Sequence, residues 1–276
     1  MFRKTLFTLT VLIYAVSALA HVASWLGDHR AAERAARLSL MIAVLLHGIG
    51  IGLRWVEAGY APVSNGFESF SFYAWGLAVL YLAVGPLRRY GVLGLFVTPL
   101  ALTSILVASV LPRRVEPLVP VLRSNWLPIH VGISFVAYAL FTLAFIVAAA
   151  YLIQTRALRN PGRGLWARRL PPLETLEELQ RRLATAGLWL MTGSLLSGSL
   201  WAETAWGIVW PWEPQQVAAL ATWLIYAAYF YMRHGAHWRD DRCAWLLVGG
   251  FASVIITFVG ADLLLPSGRH SFLFGA

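Results

Sequence analysis

The sequence predicts an all-α polytopic membrane protein of about eight transmembrane helices, and both its composition and its apolar runs support this prediction. Of 276 residues, 59% are hydrophobic and only 13% are charged, and the mean hydropathy is +0.65. A soluble domain carries about 25% charged residues, so this composition excludes a soluble enzyme. The apolar runs are close to the roughly 20 residues that an α-helix needs to cross a bilayer.

The apolar runs leave no room for a sizeable water-soluble domain, so residues 1–276 are expected to form one integral membrane domain. The predicted spans lie near 6–26, 38–53, 69–85, 91–111, 128–153, 184–202, 217–232 and 244–265. The alternative for the first run is a signal peptide, because Arg3 and Lys4 precede it and Ala18-Leu19-Ala20 resembles a cleavage site. The run is longer than the apolar core of a usual signal peptide, which favours an uncleaved span.

The distribution of Lys and Arg predicts the orientation of these spans. Seven of the 22 basic residues fall in one set of alternate loops: Arg3, Lys4, Arg54, Arg113, Arg114, Arg123 and Arg269. The other set holds the remaining 15 and is therefore placed in the cytoplasm. Loops 54–68, 112–127 and 203–216 and the tail 266–276 are then expected outside. The net charge of +9 reflects this topology and contact with anionic lipids, and nucleic acid is not an expected partner.

Two further features concern the cytoplasmic side and thiol chemistry. Pro171 and Pro172 followed by Glu-Thr-Leu-Glu-Glu-Leu predict a short amphipathic helix that leads into span six. The only cysteine, Cys243, excludes both an internal disulfide framework and a CxxC pair.

A tryptophan-rich external segment is expected between helices six and seven, at residues 201–216. It contains Trp201, Trp206, Trp210 and Trp212. One interpretation is an interfacial aromatic belt. A belt does not need such a dense cluster interrupted by Gly207, Pro211 and Pro214, so a rigid platform for a large planar aromatic ligand is favoured.

Two histidines are predicted on the same side of the membrane as the tryptophans. His130 lies at the outer end of span five, and His270 lies in the external tail. Two imidazoles on opposite faces of a planar macrocycle provide the axial ligands of a bis-histidine haem. A zinc site needs further ligands at defined spacing, and none is evident. The residues therefore favour haem.

His47 is predicted near the middle of span two, followed by Gly48, Gly50 and Gly52. An ionisable side chain at that depth is by default a candidate functional residue. Two interpretations are equally supported: a ligand of the bound group, or a hydrogen bond between helices.

These residues, in this order, resemble the CcsA (ResC) family of cytochrome c biogenesis proteins, which belongs to a haem-handling superfamily with a tryptophan-rich WWD segment. The stretch WAETAWGIVWPWEPQQVAALATWLIYAAYF at 201–230 is similar to the family's WAxxAWGxYWxWDPKExxxLxxWLxYxxYL. Further similar stretches lie at 53–75, 125–141, 170–179 and 258–272.

The resemblance implies a haem-delivering subunit of a System II cytochrome c synthase in the bacterial cytoplasmic (inner) membrane. Haem b is the expected cargo, presented on the extracytoplasmic face for attachment to the CxxCH motif of an apocytochrome c. The expected partner is a separate CcsB (ResB) protein, so any haem lyase activity belongs to the complex. His130 and His270 match the family's external haem ligands. Trp201, Trp206, Trp210, Trp212 and Glu213 are expected to contact the haem, and Arg269 to pair with a propionate. His47 is a further haem contact under the first of its two interpretations, that of a ligand.

Two departures from the family pattern keep other functions open. The family's Trp-Asp-Pro-Lys-Glu is Trp212-Glu213-Pro214-Gln215-Gln216 here, and Tyr231 stands where many members have a histidine. One alternative is a CcsA-like haem exporter or regulator without ligation activity. Another is a haem b subunit for membrane electron transfer, although that class places paired histidines inside its spans. A non-haem transporter is disfavoured, because matching discontinuous helices and midplane charges are not evident.

Overall fold

The computed structural model describes residues 2–27, 30–84, 91–115, 117, 123–159, 169–236, 238 and 241–260. Within these residues all regular structure is helical. The α-helices are α1 (Phe2–Gly27), α2 (Arg30–Ala58), α3 (Gly66–Ala83), α4 (Gly94–Val110), α5 (Trp126–Arg159), α6 (Leu173–Trp206), α7 (Pro214–His234) and α8 (Asp241–Ile255). A short 3₁₀ helix, Gly91–Leu93, precedes α4, and a π-helical stretch, Ile256–Gly260, follows α8.

Six of these helices are long and apolar enough to cross a membrane, which confirms the predicted class of all-α membrane protein. The six segments are Lys4–Gly27, Ala31–Ala58, Gly91–Val110, Trp126–Arg159, Leu173–Trp206 and Asp241–Val259. Helices α3 and α7 coincide with the predicted third and seventh spans but are not among the six. The count of eight spans therefore stays a prediction.

The chain divides into two compact units, and the first comprises residues 1–117. Within it α1 packs on α2 and α4, and α3 packs on α2 and α4. Large side chains such as Tyr14, Leu40, Leu77 and Ile105 are fully buried between these helices. Their burial in a bundle whose other faces carry exposed leucine, isoleucine and valine is the pattern expected of helices that also contact lipid.

A buried ion pair joins α2 to α3 in this first unit. Nε of Arg54 lies 2.6 Å from a carboxylate oxygen of Glu68, whose side chain is fully buried. The second oxygen of Glu68 accepts bonds from the main-chain N–H and the hydroxyl of Ser64, at 2.8 and 2.9 Å. Arg54 also donates to the carbonyl oxygens of Arg113 and Arg114. The guanidinium therefore fixes the start of α3 and the segment after α4 to the end of α2.

The second unit comprises residues 118–276 and is built around the long α5–α6 pair. The rings of Phe141 on α5 and Tyr226 on α7 stack with centroids 3.6 Å apart. A Cβ atom on Gly187 of α6 would lie 2.5 Å from Phe141, so glycine is needed there for the close approach of the two helices.

Helix α6 is longer than the predicted span at both ends. It starts after Pro172, so the predicted amphipathic segment is the first part of one continuous helix of 34 residues. It ends at Trp206, where Gly207 adopts the left-handed conformation (φ 70°) that terminates many helices. Residues 201–206 of the tryptophan-rich segment are therefore helical, and 207–213 form the connection to α7.

Candidate functional site

His130, near the start of α5, is held by the main chain of α6. Its Nδ1 atom lies 2.9 Å from the carbonyl oxygen of Ser194. A carbonyl oxygen only accepts hydrogen bonds, so Nδ1 carries the proton and donates it. In the neutral ring the other nitrogen, Nε2, is then unprotonated. Its lone pair is the electron pair that a neutral imidazole offers to a metal ion.

Two serines fix the main chain around this histidine. The hydroxyl of Ser134 donates to the carbonyl oxygen of His130 at 2.7 Å. The same hydroxyl lies 2.6 Å from that of Ser194, and because its only proton is already used, Ser194 is the donor in this second bond. The turn of α5 that carries His130 is thus bonded to the turn of α6 that orients the imidazole.

A glycine on α6 makes room for the imidazole. A Cβ atom on Gly198 would lie 2.8 Å from Cε1 and 2.9 Å from Nδ1 of His130. At Gly193, on the same helix, a Cβ atom would meet only Ile133, at 3.9 Å. Gly198 and the Ser194 carbonyl are positioning groups that the sequence analysis missed. The run of small residues at 193–198 is the pattern that indicates such close helix packing.

The structure brings His130, Trp201 and Trp206 together. The indole of Trp201 lies nearly parallel to the imidazole, with centroids 6.2 Å apart and planes 16° from parallel. Trp201 is only 2% exposed and packs against Leu127 and Trp206. Its rings are therefore covered, because α6 continues through this residue and turns it towards α5. Trp206 is half-buried, and the centroid of its ring lies 4.9 Å from that of Trp201.

Trp210 and Trp212 lie in the connection between α6 and α7. Their rings meet edge to face, with centroids 6.0 Å apart. Trp212 is 70% exposed and adopts a positive φ of 56°, a conformation that is uncommon for a residue with a bulky side chain. Trp210 is half-buried. The predicted aromatic segment thus has a buried part at Trp201 and an exposed part at Trp212, and its four rings do not share one plane.

A small cavity of about 50 Å³ adjoins His130. Its lining includes Trp201, Trp210 and Gln215. Within the described part of the chain, Nε1 of Trp210 and Oε1 of Gln215 are buried and have no hydrogen-bond partner. Buried polar atoms without partners are costly, and in native proteins they commonly mark a bound water or ligand. A cavity of about 50 Å³ has room for a few water molecules at most. It is too small for an organic ligand, because sites for small molecules occupy about 300 Å³ or more.

Glu213 and Gln216 have a structural role in the first turn of α7. Glu213 is the N-cap of the helix, and its side chain accepts a bond from the main-chain N–H of Gln216. The Gln216 side chain in turn accepts a bond from the N–H of Glu213 at 3.3 Å. This reciprocal pair is a capping box, and Pro214 occupies the first helical position. The departure from the family pattern at position 216 thus keeps a residue that can cap the helix.

His47, in the first unit, is 3% exposed and is bonded on both sides of its ring. Nδ1 lies 3.3 Å from the hydroxyl of Tyr14 on α1. Nε2 lies 2.8 Å from Oγ of Ser71 on α3. Of the two interpretations drawn from the sequence, the structure displays the hydrogen bond between helices. Ligation of a metal by Nε2 would require the bond to Ser71 to break.

The other predicted site residues are distributed as follows. His270 and Arg269 lie outside the described residues. Tyr231, which stands where the resemblance implied a histidine, is 70% exposed on α7. Arg54 is engaged by Glu68, and the guanidinium of Arg113 lies over the rings of Phe7 and Phe67. In the described part of the chain, no group of three or more His, Cys, Asp or Glu side chains is placed to hold a metal ion.

Comparisons with known proteins identify the family of this chain. Residues 63–267 match the model of the family described as cytochrome C assembly protein. The cytochrome c biogenesis protein CcsA of Synechococcus elongatus is 33% identical, over 84% of this chain and 85% of its own length. The protein of the same name from Crocosphaera subtropica is 30% identical over 96% of this chain and 93% of its own.

A solved structure shares the fold. The cytochrome c haem lyase CcmF superposes on 93% of this chain with a TM-score of 0.69, at 13% sequence identity. The chain spans 46% of the length of that protein. The family match, the relatives and the long apolar helices together show that this integral membrane protein belongs to the CcsA family of cytochrome c assembly proteins.

Proposed function

We propose that this protein binds haem b as a cargo and presents it on the extracytoplasmic face of the bacterial cytoplasmic membrane for covalent attachment to apocytochrome c. Membership of the CcsA family supports a role in cytochrome c maturation. The observation that carries the finer proposal is the orientation of His130, whose Nδ1–H is bonded to the Ser194 carbonyl. This bond leaves Nε2 as the ligating atom.

In this proposal His130 and His270 are the two axial ligands of the haem iron. The Ser194 carbonyl fixes the tautomer and the ring orientation of His130, as main-chain carbonyl oxygens commonly do for metal-ligating histidines. Bis-histidine ligation fills both axial positions and protects the iron from oxygen. The family match covers residues 63–267, which includes His130 and ends before His270.

The tryptophans are proposed to contact the haem by their exposed parts. The cavity beside His130 is about 50 Å³, so a macrocycle has to lie on its outer side, towards Trp206 and Trp212. Trp210 contributes an indole N–H that has no partner within the described residues. Trp201 supports the imidazole from the buried side, and Glu213 holds the start of α7.

Arg269 is proposed to pair with a haem propionate. It is adjacent to His270 in the sequence, and an arginine can form two parallel hydrogen bonds with a carboxylate. Arg54 and Arg113 are already engaged within the first unit. His47 contacts the haem in this proposal only when its bond to Ser71 opens.

The haem supplies the vinyl groups that become thioethers, and the apocytochrome supplies the thiols of its CxxCH motif. The role of this chain is to bind, orient and protect the cargo, so haem lyase activity is proposed for a complex with a CcsB-type partner. Residues 1–276 act as one haem-handling protein in this proposal. The predicted loop charges support an external position for 203–216 and 266–276.

A second candidate is a CcsA-like haem exporter or regulator that does not support ligation. The observation that favours it is Tyr231, which replaces a family histidine and is 70% exposed, directed away from the helix packing. A haem b electron-transfer subunit is less well supported, because both ring nitrogens of His47 are already bonded.

Co-expression with a CcsB-type partner and a reporter apocytochrome c tests the function. With the wild type, we expect haem to stay on the reporter after denaturing electrophoresis, which shows covalent attachment. His130→Ala should abolish this covalent haem, and the control His234→Ala should retain it. Wild-type protein that binds haem yet yields no covalent product would support the exporter or regulator. Full product from His130→Ala would contradict the proposed presentation of haem by this residue.

A further inference from the structure

The first unit contains a second and much larger cavity, of about 660 Å³, whose lining includes neither His130 nor the tryptophans of the proposed haem site. Most of its wall comes from α1, α2 and the segment after α4. The family model matches from residue 63 onward, so α1 and α2 lie outside the matched range. Volumes of about 300–1,000 Å³ are typical of sites that bind a small molecule.

The wall of this cavity is apolar along most of its length. Its apolar lining residues include Leu6, Phe7, Leu46, Ile51, Phe67 and Val115. Polar groups at its inner end already have hydrogen-bond partners. His47 is bonded to Ser71 at 2.8 Å, and the hydroxyl of Thr10 donates to the carbonyl oxygen of Leu6 at 2.8 Å. The inner end therefore suits a hydrocarbon chain better than a polar headgroup.

The charged lining residues are predominantly basic. They comprise four cations, Lys4, Arg54, Arg113 and Arg114, and two carboxylates, Glu57 and Glu68. Glu68 is already neutralised by Arg54 at 2.6 Å. Lys4 and Arg114 are exposed, and neither forms an ion pair with another of the described residues. A group of cations beside an apolar cavity matches a ligand with an anionic head and an apolar tail.

We propose that this cavity binds an anionic phospholipid, with its phosphate between Lys4 and Arg114 and an acyl chain along the apolar wall towards His47. Haem is the less favoured occupant, because His47 is the only histidine among the described residues of the lining and both of its ring nitrogens have partners. The proposal is independent of haem binding at His130, which lies in the second unit.

Native mass spectrometry of the purified full chain tests the proposal, with dioleoylphosphatidylglycerol and dioleoylphosphatidylcholine added in equal amounts. The two lipids share their acyl chains and differ in headgroup charge. We expect one phosphatidylglycerol molecule to be retained in preference to phosphatidylcholine. In the Lys4→Gln/Arg114→Gln double variant, the ratio of retained phosphatidylglycerol to retained phosphatidylcholine should fall by about fivefold for each cation removed. Arg34→Gln, an exposed change elsewhere on α2, is the charge control.

A matched pair of glycine variants on α2 tests whether the cavity itself is the site. Gly50 lines the cavity, and a Cβ there would meet only Leu6, at 3.9 Å, so Gly50→Phe should fill the space without a backbone clash. Gly52 does not line it, and a Cβ there meets nothing within 4 Å. We expect Gly50→Phe to abolish retention and Gly52→Phe to preserve it.

Equal retention of the two lipids by the wild type would overturn the proposal, as would full phosphatidylglycerol retention by Gly50→Phe. If added haem displaces the lipid and Gly50→Phe loses that haem, the cavity is a porphyrin site and the lipid assignment is wrong. The double variant keeps the test decisive if Gly50→Phe does not fold, because its two substitutions are at exposed positions.

Discussion

Nδ1 of His130 lies 2.9 Å from the carbonyl oxygen of Ser194, and this bond sets which nitrogen of the imidazole can bind a metal. Because the carbonyl belongs to the main chain of α6, no substitution of the Ser194 side chain removes it directly. The orientation of His130 therefore depends on how closely α5 and α6 approach each other. This dependence makes the small residues of α6 the sensitive positions of the site.

Gly198→Ala is expected to weaken haem binding by about tenfold or more, the lower range seen when groups that orient a metal ligand are lost. The new Cβ would lie 2.8 Å from Cε1 of His130, so the ring has to move away from the Ser194 carbonyl. Haem titration followed by absorbance measures the affinity. Gly193→Ala is the control, since its Cβ meets only Ile133 at 3.9 Å. Equal affinities of the two variants would contradict the positioning role.

Glu213→Ala is expected to destabilise the start of α7 by about 1 kcal/mol, the usual effect of losing an N-cap. Gln216→Glu should have little effect, because glutamate also accepts the N–H bond at this position of a capping box. Thermal unfolding of the purified proteins, together with proteolysis within 207–213, reports the change. The capping interpretation fails if Gln216→Glu is as destabilising as Glu213→Ala.

Glu68→Gln is expected to lower the free energy of unfolding of the protein by about 3 kcal/mol. The substitution leaves the guanidinium of Arg54, only 12% exposed, without its buried carboxylate partner. Asp241→Asn is the control, because its partner Arg159 is 70% exposed and 3.4 Å away, and exposed pairs contribute about 1 kcal/mol or less. Similar losses of unfolding free energy in both variants would show that the Arg54–Glu68 pair contributes no more than an exposed ion pair.

His47→Leu is expected to leave the haem absorption spectrum unchanged while lowering thermal stability. The imidazole bonds Tyr14 on α1 and Ser71 on α3, and leucine loses both bonds. The absorption spectrum and the melting curve are recorded on the same preparation. A shifted Soret band or reduced haem content in His47→Leu would instead support the ligand interpretation of this residue.

The sequence predicts the helices well because apolar runs of membrane length have few alternative structures. It also predicts that His130 and the tryptophans share a site. His130 lies at the outer end of predicted span five, and the tryptophans lie at the outer end of predicted span six. The burial of Trp201 could not be read from the sequence, because it depends on α6 continuing to Trp206. The bond from His130 to Ser194 joins residues 64 positions apart and depends on helix packing that periodicity alone does not determine. The capping box has a recognisable pattern in the sequence, because Glu213 stands three residues before Gln216 at the start of an apolar run.

The most direct test of the account is the haem content of the purified protein, measured as the pyridine haemochrome per polypeptide. The double variant His130→Ala/His270→Ala is compared with the double variant His234→Ala/His237→Ala. The second removes two histidines that the sequence predicts on the cytoplasmic side of the membrane. The account predicts that the first variant loses bound haem by at least about tenfold, while the second retains it with the low-spin spectrum of bis-histidine ligation. Full haem content with an unchanged spectrum in His130→Ala/His270→Ala would contradict the assignment of these histidines as the iron ligands.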